Sequence, residues 1–187
     1  MTKRFLAGFV VLGLTAAQAV AGQQPTTAEK ADRLMAYGKM SDETFVMKAA
    51  NGGMAEVDLG KLAVEKAGSD EVKKFGQRMV DDHSKANDEL KTLAQNKHIT
   101  LPTEIDPHEK ALHDRLATLS GPSFDRAYMQ AMLVDHRNDL NEFRMEAKMG
   151  KDADVKGWAA KTLPMIEEHV KLAQNANRAV GTAGSKK

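Results

Sequence analysis

The chain has 187 residues, 42% of them hydrophobic and 28% charged, with no cysteine. Those proportions fit one globular domain, and the missing cysteine excludes both disulfides and a lipid-bearing N-terminal cysteine. Basic and acidic residues nearly cancel, 27 against 26, which leaves no electrostatic footprint for nucleic acid.

Lys3 and Arg4 precede an apolar run from Phe5 to Leu14, followed by small residues through Ala17-Gln18-Ala19 and Ala19-Val20-Ala21. This layout predicts a secretory signal peptide over residues 1–21, cut after Ala19 or Ala21. The run falls short of the roughly 20 residues that a membrane span needs. Losing Lys3 and Arg4 leaves 25 basic residues against 26 acidic ones, and no later segment is apolar enough to cross a bilayer. The mature chain is therefore expected in a bacterial periplasm, with association with the outer membrane or envelope as an alternative. Nothing in the residues fixes an oligomeric state.

Residues 22–40 are polar and weakly patterned, and they read as a linker. Ser41 and Asp42 offer an N-cap, and Phe45, Ala49, Gly52, Leu59 and Ala63 form a helical stripe that stops at Lys66-Ala67-Gly68. Ser69 caps a second helix reaching about Lys97, with Val72, Phe75, Gly76, Met79, Val80, His83, Leu90 and Leu93 on one face. Asp106, Pro107 and Glu109 open a short helix as N-cap, N1 and N3. Gly121-Pro122-Ser123 breaks it and starts a third long helix that Gly150 closes. Asp152 or Asp154 caps a fourth, interrupted by Pro164. The bundle is expected over residues 41–180, and residues 181–187 form a tail.

Lys66-Ala67-Gly68-Ser69-Asp70-Glu71-Val72 resembles Lys148-Met149-Gly150-Lys151-Asp152-Ala153-Asp154-Val155, so the chain contains two similar helical hairpins. A long connection joins them. The expected fold is all-α: a ferritin-like four-helix bundle with one short extra helix in the crossover between hairpins. An up-down bundle is the competing topology. Gly60 and Gly76 lie symmetrically about Gly68 and should let the first two helices approach closely.

Three segments repeat one pattern: Met79-Val80-Asp81-Asp82-His83, Met132-Leu133-Val134-Asp135-His136 and Met165-Ile166-Glu167-Glu168-His169. Methionine and histidine four apart share a helix face. Counting about 1.5 Å per residue from the two turns puts Glu56, His83 and His136 near one level and His169 about a turn higher. Each long helix thus carries one ligand-capable residue inward near mid-height. One reading is a transition-metal site of Glu56, His83, His136 and His169, with Met79, Met132 and Met165 nearby. Asp82, Asp135, Asp139 and Glu168 would then support the ligands. Copper, zinc and iron are the candidates, and the thioethers would suit Cu(I). The other reading is a buried hydrogen-bonded layer without metal. Histidine nitrogens more than about 7 Å apart could not share one ion, since the bonds are near 2 Å.

Residues three before the histidines are Val80, Leu133 and Ile166. No Glu-x-x-His pair exists, which argues against ferritin-type di-iron chemistry. Phosphate loops, Ser or Cys nucleophile motifs and His-Glu-x-x-His are also missing, so the reading leans away from an enzyme. His98, His108 and His113 fall in or near the crossover and read as solvated.

Phe45-Val46-Met47-Lys48-Ala49-Ala50, Gly53-Met54-Ala55-Glu56-Val57, Leu59-Gly60-Lys61-Leu62-Ala63, Val72-Lys73-Lys74-Phe75 and Met79-Val80-Asp81-Asp82-His83 come in that order. With Trp158-Ala159 through Leu163-Pro164 to His169, they resemble an exported bacterial family catalogued as domain of unknown function 4142. The resemblance covers about residues 42 to 180. It implies a ferritin-like helical bundle behind a signal peptide, in a family labelled periplasmic or outer-membrane, and supplies no catalytic residue.

Overall fold

Capping side chains set four of the five helix starts in the computed structural model, which describes residues 41–183 together with Thr26. The expected signal peptide lies outside the described residues, as do the linker apart from Thr26 and the end of the tail. Ser41 Oγ accepts from the Thr44 amide at 3.1 Å and opens α1, Asp42–Lys66. Ser69 Oγ does the same for Val72 and opens α2, Asp70–Lys97. Asp106 accepts from His108 and Glu109 ahead of α3, Pro107–Ala117. Then come α4, Gly121–Met149, and α5, Ala153–Ala183. Asp152, rather than Asp154, caps α5 by accepting from Asp154 and Val155. Helix α5 runs on through Pro164 and past Val180.

The crossover topology is the one adopted. Asp125, in the first turn of α4, accepts from the amides of Gly68 and Ser69 at 2.9 and 3.0 Å, so α4 begins beside the α1–α2 turn. Asp42, in the first turn of α1, accepts from Lys151 and Asp152 in the α4–α5 turn. The two turns therefore sit at opposite ends. Helices α1 and α5 run one way, α2 and α4 the other, and the connection from His98 to Ser120 climbs the bundle with α3 on it. Each hairpin packs internally, α1 lies beside α4, and α2 lies beside α5.

Gly60 and Gly76 meet as the sequence suggests: a Cβ added at Gly60 would lie 2.7 Å from the Gly76 carbonyl oxygen. Glycine there lets the backbones touch. Burial separates the interior into two apolar clusters. One, toward the α1–α2 turn, holds Leu59, Phe75, Met79, Phe124, Tyr128 and Met132. The other, toward the α4–α5 turn, holds Phe45, Leu90, Phe143, Trp158 and Ile166. Glu56, His83, His136 and His169 lie between them, all buried.

Candidate metal centre

His83 on α2, His136 on α4 and His169 on α5 converge at mid-height. Their ring centroids are 5.8 Å (83–136), 5.2 Å (83–169) and 5.3 Å (136–169) apart. One ring nitrogen from each lies within 4.8 Å of the other two, well inside the separation at which sharing an ion becomes impossible. Side-chain lean closes the turn of height that residue counting leaves open for His169. A helical side chain points back toward its own N-terminus. On α5 that direction is toward His83 and His136, and on α2 and α4 it is toward His169.

Hydrogen bonds fix the outward nitrogen of two of the three rings. Nε2 of His169 lies 2.8 Å from Asp82 Oδ2, and Nδ1 of His136 lies 3.0 Å from the Met132 carbonyl oxygen. An ionised carboxylate and a carbonyl can only accept, so these nitrogens carry the protons. Burial opposes ionisation of Asp82, but hydrogen bonds from Arg78 and His169 hold it below the usual carboxylate range. The remaining nitrogens, His136 Nε2 and His169 Nδ1, are buried and unpartnered among the described residues, as is His83 Nε2.

The rings are held neutral. Burial, reinforced by the two neighbouring imidazoles, keeps His83 well below the ordinary imidazole value. Burial and His169 push His136 down to about 3, against the Met132 hydrogen bond. Burial also lowers His169, although Asp82 opposes it. Three neutral rings thus meet in one buried layer.

Glu56 takes a different place from the one expected. Its Oε1 is 3.4 Å from Nδ1 of His136, behind the ring rather than among the three inward nitrogens. It groups with Asp135 and His136 instead. Neither Glu56 oxygen has a donor among the described residues. Burial and then Asp135 raise its pKa well above the usual range. Burial raises Asp139 similarly, followed by Asp135 and Glu142. The layer is therefore a histidine trio backed by a carboxyl pair, not a ring of four equivalent ligands.

The other named residues divide accordingly. Asp82 and Asp135 support histidine or glutamate, whereas Glu168 is exposed. Met79 and Met132 belong to the cluster on one side of the layer, and Met165 packs with the other. The sulfurs consequently do not gather on one side of the trio. His98 and His108 are exposed, and His113 lines an outer groove. One participant was not anticipated: the Met132 carbonyl, which leaves no sequence signal.

A family described as "Domain of unknown function (DUF4142)" matches residues 21–176. The chain belongs to the DUF4142 family. Its described fold is similar to the crystal structure of a predicted secreted protein, DUF305, from Streptomyces coelicolor. That match has 15% identity and a TM-score of 0.62, and covers 75% of this chain and 94% of the other. At that identity the likeness concerns the fold. No curated protein matches the chain. No described helix of this DUF4142 chain is long and apolar enough to cross a membrane.

Three neutral imidazoles, two of them with an outward N–H held by a carboxylate or a carbonyl, are a ligand arrangement that zinc, copper and iron accept. Bonds near 2 Å place ligand atoms no more than about 4 Å apart, so small ring rotations suffice. No Glu-x-x-His pair enters the DUF4142 layer, and a carboxylate-rich di-iron centre does not fit it.

Proposed function

We propose that this protein is an exported, non-enzymatic helical bundle that holds one transition-metal ion in the trio His83, His136 and His169. The observation that carries this reading is that one ring nitrogen from each histidine lies within 4.8 Å of the other two, while each ring also has a nitrogen buried without a partner among the described residues. Buried polar atoms are normally satisfied, and an unsatisfied one costs about 1–3 kcal/mol. Neutral imidazole nitrogens gathered this closely could share one cation. Zinc or copper suits three nitrogens. Export rests on the signal-peptide layout of residues 1–21, and the periplasm is the compartment proposed.

The bland reading, a structural polar layer, is favoured by the Asp82–His169 and Met132–His136 hydrogen bonds. It leaves the inward nitrogens unexplained. Metal analysis of tag-free protein exposed in turn to Zn(II), Cu(I) and Fe(II) separates the two. One equivalent retained by wild type and lost from a His83→Ala/His136→Ala variant is expected. Sub-stoichiometric metal in both would leave the structural layer as the function.

A further inference from the structure

Beside His83 lies a small cavity of about 20 Å³, lined by Gly52, Gly53, His83, Asn87, Asp139 and Trp158 among others. A space of about 10–15 Å³ holds one water. Its lining includes the polar side chains of His83, Asn87, Asp139, Trp158 and Thr162. A Cβ at Gly52 would meet nothing within 4 Å, while one at Gly53 would lie 2.0 Å from Asn87 Oδ1. The Asn87 amide therefore occupies the side-chain space that Gly53 leaves.

Outside the same asparagine is a groove between the first hairpin and the crossover, about 680 Å³, whose wall carries Asp58, Asp88 and Glu104 against Lys110. A more apolar neighbouring recess of about 420 Å³ also ends on Asn87. Asn87 is thus shared by both outer spaces and the inner cavity. Among the described residues its amide has no hydrogen bond to another protein group, so nothing but packing holds its rotamer.

A second approach exists along the α2–α5 seam, where the inner cavity and an outer recess share Ala86, Thr162 and Met165. Its charges are reversed: Arg78, Lys85 and Lys161 against Asp82 and Glu89. Lys161 and Glu89 close across it at 2.8 Å. An acidic mouth concentrates cations and a basic one repels them.

We infer that Asn87 is the gate by which a metal cation passes from the acidic α1–α2 groove, over Gly52 and Gly53, to His83. The inference rests on the trio being a metal site. A gate changes how fast the ion enters and leaves, not how tightly it is held, because the bound state and the free state are the same on either side of it.

Stopped-flow loading with Zn(II), and its transfer from loaded protein to a chromophoric chelator, read both rates. Asn87→Ala should speed both on the order of tenfold and Asn87→Leu should slow both by a similar factor, with affinity within about twofold of wild type, as expected of a change confined to a gating step. Lys161→Ala, on the other seam, should leave both rates unchanged, and circular dichroism checks that each variant is folded. Unaltered rates in both Asn87 variants, or altered rates only in Lys161→Ala, would overturn the gate while leaving the metal site intact. Absence of zinc uptake by wild type sinks the site and the gate together.

Discussion

Asp82 Oδ2 accepts the Nε2 proton of His169 at 2.8 Å across the α2–α5 interface, one residue before His83 in the same helix. One stretch of α2 therefore supplies a trio member and orients another. If the trio holds metal, Asp82→Ala frees the His169 ring and weakens affinity by about 10–100-fold. Competition titration of zinc against a chelator measures it. Arg78, which also pairs with Asp82, is half a step further out and should have a smaller effect.

The buried neutral histidines make stability depend on pH. Their folded-state values lie below the unfolded value of about 6.5, so the unfolded chain binds more protons as pH falls. The stability they contribute is present above that value and is lost as pH drops toward the folded one. For His136, with a folded value of about 3, the loss spans about pH 6.5 to 3 at up to roughly 1.4 kcal/mol per pH unit. Urea unfolding of metal-free wild type and His136→Gln across this range should show a shallower slope in the variant. Glu56 runs oppositely: its raised value favours the fold below the unfolded value of about 4.3, and the benefit is lost as pH rises. Glu56→Gln should therefore gain on wild type toward alkaline pH.

Two glycines predict opposite outcomes. An added methyl at Gly60 meets the Gly76 carbonyl at 2.7 Å, whereas at Gly157 it meets nothing within 4 Å. Gly60→Ala should cost about 1–3 kcal/mol through forced helix separation. Gly157→Ala should stabilise by roughly 0.5–1 kcal/mol through helix propensity. Thermal unfolding distinguishes the signs.

Asp125 is buried and clasps the α1–α2 turn through two amides. Asp125→Ala removes both acceptors from the amides of Gly68, which is exposed, and Ser69, which is half-buried, and should cost about 0.5–1.5 kcal/mol per lost hydrogen bond. Asp125→Asn retains one acceptor and should lose less. Denaturant midpoints compare the two variants.

The bundle and its inward faces were legible because each depends on local periodicity. Ser41, Ser69 and Asp106 cap where their spacing says they should, and the three Met-x-x-acid-His segments face inward because positions four apart share a face. Lateral arrangement was not legible. Whether Glu56 joins the trio or backs His136 depends on how α1 sits against α4, and no spacing within either helix encodes that. Asp42 and Asp125 were equally hidden. Their roles exist only because the crossover brings each helix start beside the opposite hairpin's turn.

The division of the interior into two apolar clusters has a further consequence. His83 comes from one hairpin, while His136 and His169 come from the other, so neither half can assemble the trio alone. An ion gripped by all three would rivet the halves together at the waist, where apolar packing is interrupted. Occupancy and folding then become one linked equilibrium. The protein would serve as a gauge of ion supply, with its own melting temperature as the needle.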